Sequence, residues 1–131
     1  MKVIIAGGRE VTDYRLVVEA MIMADLMFGI VPTQIVSGKA RGVDTLGERW
    51  AKERSIEVKP FPARWRRDDG LVDLSAGKTR NTKMAEYADA LVAVWDGQST
   101  GTADMIKKAE RKKLLVWVQR FTWASRQSDQ S

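Results

Sequence analysis

One stretch constrains this chain more than any other: Ala90-Leu91-Val92-Ala93-Val94-Trp95-Asp96-Gly97-Gln98-Ser99-Thr100-Gly101-Thr102-Ala103-Asp104-Met105. Residues 91–95 are uniformly apolar and too few for a typical helix, so they read as a strand covered on both faces. Small polar residues and glycines break the run between 96 and 102, and Met105, Ile106 and Ala109 then recur at helical spacing. Strand, glycine-rich turn and helix in succession present free backbone N–H groups and a helix N-terminus to an anion. Two earlier segments repeat the plan. Val3-Ile4-Ile5-Ala6 runs into Gly7-Gly8-Arg9, and Gln34-Ile35-Val36 runs into Ser37-Gly38-Lys39-Ala40-Arg41-Gly42. In a parallel sheet the loops at the carboxyl ends of strands share one edge, so three such loops predict a single phosphate-bearing ligand site built jointly.

The rest of the chain supplies the remaining units. Residues 2–6 form the first strand, and Thr12 or Asp13 caps a helix whose stripe is Leu16, Val17, Ala20, Met21, Ala24 and Met27, ended by Gly29. A second strand spans 33–36, and Val43, Leu46, Trp50 and Ala51 mark a second helix with Asp44 in its first turn. A third strand at 56–61 is followed by an irregular connection over 63–78, a lid or an interaction loop. Within it Trp65, among three arginines, is either a platform for a base or an aromatic packed beneath the loop. Helices at 79–88 and 102–111 flank the central strand, and a fifth strand spans 114–118. The basic residues Lys107, Lys108, Arg111, Lys112 and Lys113 suit a helix C-terminus and require no nucleic acid to explain them. Five strands and four crossovers predict an α/β, doubly wound parallel sheet with helices on both faces and strand order 3-2-1-4-5. One domain over residues 1–118 and a polar tail over 119–131 are expected.

Composition removes several chemistries. The 131-residue chain has no cysteine and no histidine, which excludes thiol nucleophiles, Ser–His and Cys–His catalysis, and thiolate or imidazole metal sites. No metal centre and no cofactor are expected. The net charge of +5 fits a polyanionic partner without saying whether it is a nucleotide or a nucleic acid. No apolar run reaches the ~20 residues of a membrane span, and the N-terminus runs straight into a strand pattern, so a cytoplasmic location is expected.

Four motifs in order resemble the SLOG superfamily of Rossmann-like proteins, in its small YspA/YpsA-related branch. They are Ile4-Ile5-Ala6-Gly7-Gly8-Arg9, Ile35-Val36-Ser37-Gly38-Lys39-Ala40-Arg41-Gly42-Val43-Asp44, Gly77-Lys78-Thr79-Arg80-Asn81-Thr82-Lys83-Met84 and Trp95-Asp96-Gly97-Gln98-Ser99-Thr100-Gly101-Thr102. Related Lonely guy phosphoribohydrolases cleave the N-glycosidic bond of nucleoside monophosphates and are similar here at Arg-x-x-x-Met, residues Arg80 to Met84. Their Gly-x-Gly-Thr-x-x-Glu motif is matched imperfectly: Met105 stands where they carry the catalytic Glu. Asp104 is adjacent, but one residue along a helix turns a side chain by ~100°. Glycoside cleavage wants a carboxylate beside the anomeric carbon, whereas phosphate binding needs only loops and basic groups.

Three functions follow. The favoured one binds a nucleotide or nucleotide-derived ligand as sensor, carrier or sequestering protein. Gly7, Gly8, Gly38 and Gly42 let backbone approach the ligand, while Gly97, Ser99, Gly101 and Thr102 offer donors to a phosphate. Arg80, beside Asn81, grips phosphate; Arg9, Lys39 and Arg41 add charge; Asp44 or Asp96 accepts ribose hydroxyls; Ser37 faces the same cleft. The second function is a nucleoside 5'-monophosphate phosphoribohydrolase with Arg80 and Asp104 as catalytic candidates. The third is a nucleic-acid binder like DprA of the same superfamily. The resemblance and the five tryptophans also imply a homo-oligomer, most simply a dimer.

Overall fold

The computed structural model describes residues 1–123. Its elements are β1 (Lys2–Gly7), α1 (Tyr14–Phe28), β2 (Gln34–Ser37), α2 (Val43–Glu53), β3 (Glu57–Pro60), α3 (Ala76–Tyr87), β4 (Ala90–Trp95), α4 (Thr100–Arg111) and β5 (Leu115–Arg120). The five strands are all parallel and lie in the order β3-β2-β1-β4-β5, as expected. Chain direction across the sheet reverses between β1 and β4, whose register pairs Val3 with Ala90 and Gly7 with Val94. Loops leaving those two strands therefore diverge and open a crevice.

Successive side chains of a strand face opposite ways, and here both sides are covered. Val3 and Ile5 of β1 and Val92 and Val94 of β4 join the core that includes α1 and α2 residues. Ile4, Ala6, Leu91 and Ala93 join the opposite core with Met84 and Ala85 of α3 and Met105 and Ala109 of α4. This two-sided burial is why the strands read as continuous apolar runs. Burying each Val, Ile, Leu or Met side chain among them contributes about 1.5–3 kcal/mol.

Local chemistry sets the element ends. Asp13 caps α1 by accepting the Arg15 N–H at 3.0 Å, and Gly29 closes it in left-handed backbone at φ 64°. Met27, expected on the buried stripe, is 57% exposed. The Gly29 cap turns the chain so that the buried Ile30, rather than the last turn of α1, packs into the core. The exposed Ile22, Leu26, Met27, Phe28 and Val31 form an apolar outer face there.

Three boundaries differ from expectation by two residues or more. α3 begins at Ala76, because the irregular connection is closed early by an antiparallel bridge between Arg66 and Val72. α4 begins at Thr100, putting Gly101 inside its first turn. β5 runs to Arg120, two residues past the expected end, because Val94 and Trp95 of β4 extend the pairing to Gln119 and Arg120. Phe121 then packs into the core, and residues 124–131 of the expected polar tail lie outside the described residues. Among the described residues no helix is long and apolar enough to cross a membrane.

Candidate functional site

The crevice beside β1 and β4 holds a cavity of about 610 Å³, within the range of small-molecule sites. All three glycine-bearing segments approach it, and α3 supplies a fourth wall. Gly7, Gly8 and Arg9 line it from the β1–α1 loop, Asp44 from the first turn of α2, Arg80 and Asn81 from α3. Asp96, Ser99, Gly101 and Thr102 line it from the β4–α4 loop and the start of α4, and Asp104 from the next turn.

Close approach explains two of the glycines. Gly42 sits in left-handed backbone at φ 79°, and a Cβ there would collide with the Gly8 carbonyl, so glycine lets the first two loops touch. A Cβ at Gly38 would lie 2.5 Å from Arg80 Nη1 and 2.8 Å from Asp44 Oδ2. The space beside Gly38 is thus taken by Arg80, whose Nη1 donates to the Gly38 carbonyl while its Nε donates to Asn81 Oδ1 at 3.0 Å.

Six expected residues do not line the main cavity. Ser37 Oγ donates to Glu48 at 2.6 Å and accepts the Lys39 N–H at 3.1 Å, so it secures its loop rather than facing the cavity. Lys39 pairs with Glu48 at 2.9 Å and Arg41 pairs with Glu10, and neither cation lines the main cavity, although Glu10 does. Gly97, at φ 85°, has the Arg120 guanidinium beside it and does not line the cavity. Neither do Gly38 and Gly42, whose part is to pack the loops against each other.

The carboxylates around the cavity differ in how free they are. Asp96 Oδ1 accepts the Gln98 and Ser99 N–H groups at 2.9 Å and its Oδ2 accepts from Trp123 Nε1 at 3.2 Å. Those backbone bonds, Ser99 first, hold the Asp96 carboxyl below its usual range. For Asp104, partial burial acts upward but is outweighed by the hydrogen bond from Asn81 at 3.0 Å and the Lys108 ammonium at 3.0 Å. Lys108 also donates to the Lys78 carbonyl at 2.6 Å, so Asp104 ties α3 to α4. Asp44 is the exception. It is 5% exposed, its Oδ2 accepts the Ala40 N–H at 3.2 Å, and Oδ1 has no hydrogen-bond partner among the described residues. Burial pushes its carboxyl up to about 6, against the downward pull of the Ala40 amide and Arg80.

The cationic side of the cavity is underused. Arg9 and Arg80 both line it, and among the described residues neither forms an ion pair with a carboxylate. Burial, opposed by Asp44 and reinforced by the charge of Arg9, lowers the Arg80 guanidinium from its usual value. At the start of α4 the Ser99 side chain makes no capping bond to the helix; its Oγ shares a 3.1 Å hydrogen bond with Thr102 Oγ1 instead. The first-turn amides of α4 therefore lack a side-chain acceptor, and two guanidiniums face the same space.

A sequence model of the YspA, cpYpsA-related SLOG family matches residues 1–67, just over half of the chain. The chain belongs to that family. Among curated proteins none matches it. It is similar to a solved structure, the DNA processing protein A (DprA) of Streptococcus pneumoniae, at 15% identity and a TM-score of 0.69. That likeness covers 98% of this chain and 53% of the other, so the chain spans about half the length of that protein and shares its fold. Within this SLOG chain the matched segment contains β1, α1, β2, α2 and β3 together with Gly7, Arg9 and Asp44, while Arg80 and the α4 terminus lie beyond it.

Several further residues join the lining. Trp65 is 41% exposed and lines the cavity with the Arg9 guanidinium 5.7 Å from its ring centre, so it is not packed away beneath its loop. Trp123 joins through its bond to Asp96, 27 residues away, a contact no local pattern signals. Met84, the last residue of Arg-x-x-x-Met, and Met105 form an apolar part of the lining. The Arg-x-x-x-Met spacing was the available signal for Met84.

Proposed function

We propose that the cavity binds a nucleotide or nucleotide-derived ligand without cleaving its glycosidic bond. The observation that carries this reading is the convergence of Arg9 and Arg80, without carboxylate ion pairs among the described residues, on the cavity that also receives the start of α4. Such a set stabilises a phosphate through charge-assisted hydrogen bonds and oriented amides. Asp44 Oδ1 offers an acceptor for a sugar hydroxyl, and Trp65 an aromatic face for a base. Family membership supports a nucleotide-related role.

The absence of cleavage rests on the carboxylates. Met105, 1% exposed, stands in the lining where the similar hydrolases carry Glu, and Asp104 is held by Asn81 and Lys108. Calorimetric titration with adenosine monophosphate tests both halves. Arg80→Ala should weaken binding by about 2–4 kcal/mol, roughly 30- to 1,000-fold, for loss of a partly desolvated charged partner. Asp104→Asn should leave affinity within about twofold, because that side chain serves the α3–α4 contact. Free adenine released by the wild type and not by Asp104→Asn would overturn this reading in favour of the hydrolase.

A further inference from the structure

A second cavity of about 340 Å³ abuts the first, sharing Arg9, Trp65 and Arg80 with it. Beyond that shared wall it is lined by Lys39 and Arg41, so four cationic side chains surround it and, among the described residues, no carboxylate is part of its lining. Two of the four, Arg9 and Arg80, have no ion pair among the described residues. The other two are held weakly: the Lys39–Glu48 pair is 46% and 25% exposed, and the Arg41–Glu10 pair 72% and 73% exposed. A phosphate group can compete for such partners because water already screens them. Lys39 also holds left-handed backbone at φ 60°, a conformation uncommon for a residue with a side chain and frequent at binding loops.

The main cavity has a different character. Glu10, Asp44, Asp96 and Asp104 line it, and of its cations Arg9 and Arg80 are shared with the second cavity while Lys78 is not. Like charges gathered in a concave site raise the local concentration of an anion. A simple mononucleotide seated at the start of α4 leaves Lys39 and Arg41 unused.

We infer that the second cavity is an anion subsite, and that the ligand is a small nucleotide carrying two phosphate groups at separate positions, one at each cavity. The inference rests on the nucleotide reading of the larger cavity and adds the second charged group. Arg9 and Arg80, lying between the two, contribute to both ends; Lys39 and Arg41 serve the second alone.

The test titrates the whole chain at fixed ionic strength with adenosine monophosphate, adenosine diphosphate and adenosine 3',5'-bisphosphate. The bisphosphate should bind roughly tenfold or more tighter than either of the others, since the diphosphate adds charge at one end only. The double variant Lys39→Gln, Arg41→Gln should bind the bisphosphate no better than the monophosphate, while its monophosphate affinity stays within about twofold of wild type. Both side chains are substantially exposed, so the variant keeps the fold, which circular dichroism checks. A bisphosphate that binds no tighter than the monophosphate overturns the second subsite alone. The same holds if the diphosphate gains equally, or if the double variant retains the advantage. A twelve-nucleotide single strand binding more tightly than the bisphosphate also overturns it, in favour of a nucleic-acid groove. Failure of all three adenosine nucleotides to bind overturns the nucleotide reading itself.

Discussion

Replacing Asp44 with Asn should make the folded chain more stable, and more so as the pH rises. Asp44 lies in the first turn of α2 at 5% exposure, with the Ala40 N–H on one oxygen and, among the described residues, no hydrogen bond on the other. Burial lifts its carboxyl from 3.8 to about 6, so between those values the folded chain holds a proton that the unfolded chain has released. Stability contributed by the neutral carboxyl is fully present below the unfolded value and is lost as pH rises through the folded one. Asn keeps the shape and an acceptor for the Ala40 N–H but never ionises. The advantage of Asp44→Asn should therefore grow from less than about 1 kcal/mol at pH 4 to about 3 kcal/mol by pH 7, following the separation of the two values. Urea unfolding followed by tryptophan fluorescence at several pH values between 4 and 8 measures it. A variant no more stable than wild type at pH 8, or an offset that does not grow with pH, refutes the reasoning. In the proposed function the same substitution weakens the ligand, because a charged acceptor for a sugar hydroxyl becomes a neutral one.

Gly101→Val separates binding from folding: a Cβ there meets nothing within 4 Å, yet the residue lines the cavity in the first turn of α4. Thermal unfolding should shift by less than about 1 kcal/mol while adenosine monophosphate affinity falls at least roughly tenfold, and unchanged affinity would remove the ligand from the α4 terminus. The exposed apolar face of α1 supports the homodimer reading, with Leu26 74% and Ile22 54% exposed. Sedimentation at micromolar concentration should show a dimer that Leu26→Glu converts to monomer; a wild type that is monomeric throughout contradicts it.

Much of the architecture was legible because it is written in local patterns. Continuous apolar runs such as residues 91–95 mark strands covered on both faces, and Asp13 and Gly29 mark helix ends through their own side-chain and backbone chemistry. Parallel strands with short glycine turns also dictate that the first, second and fourth loops share one edge. Which side chains turn inward at that edge was not legible, because it depends on partners distant in the chain. Ser37 turns to Glu48, Arg80 is anchored by the Gly38 carbonyl 42 residues away, and Asp96 by Trp123. Asp104 is drawn into the α3–α4 contact by Asn81, 23 residues earlier, which no spacing rule along one helix reveals. By itself the sequence determined the sheet and its glycine-bearing edge, since these follow from periodicity and turn residues. Only the tertiary structure decided that, among the described residues, Asp44 is buried with an oxygen to spare and Arg9 and Arg80 stand without carboxylate partners between two cavities. Burial and pairing are properties of the space between elements, and that space exists only once the elements have packed.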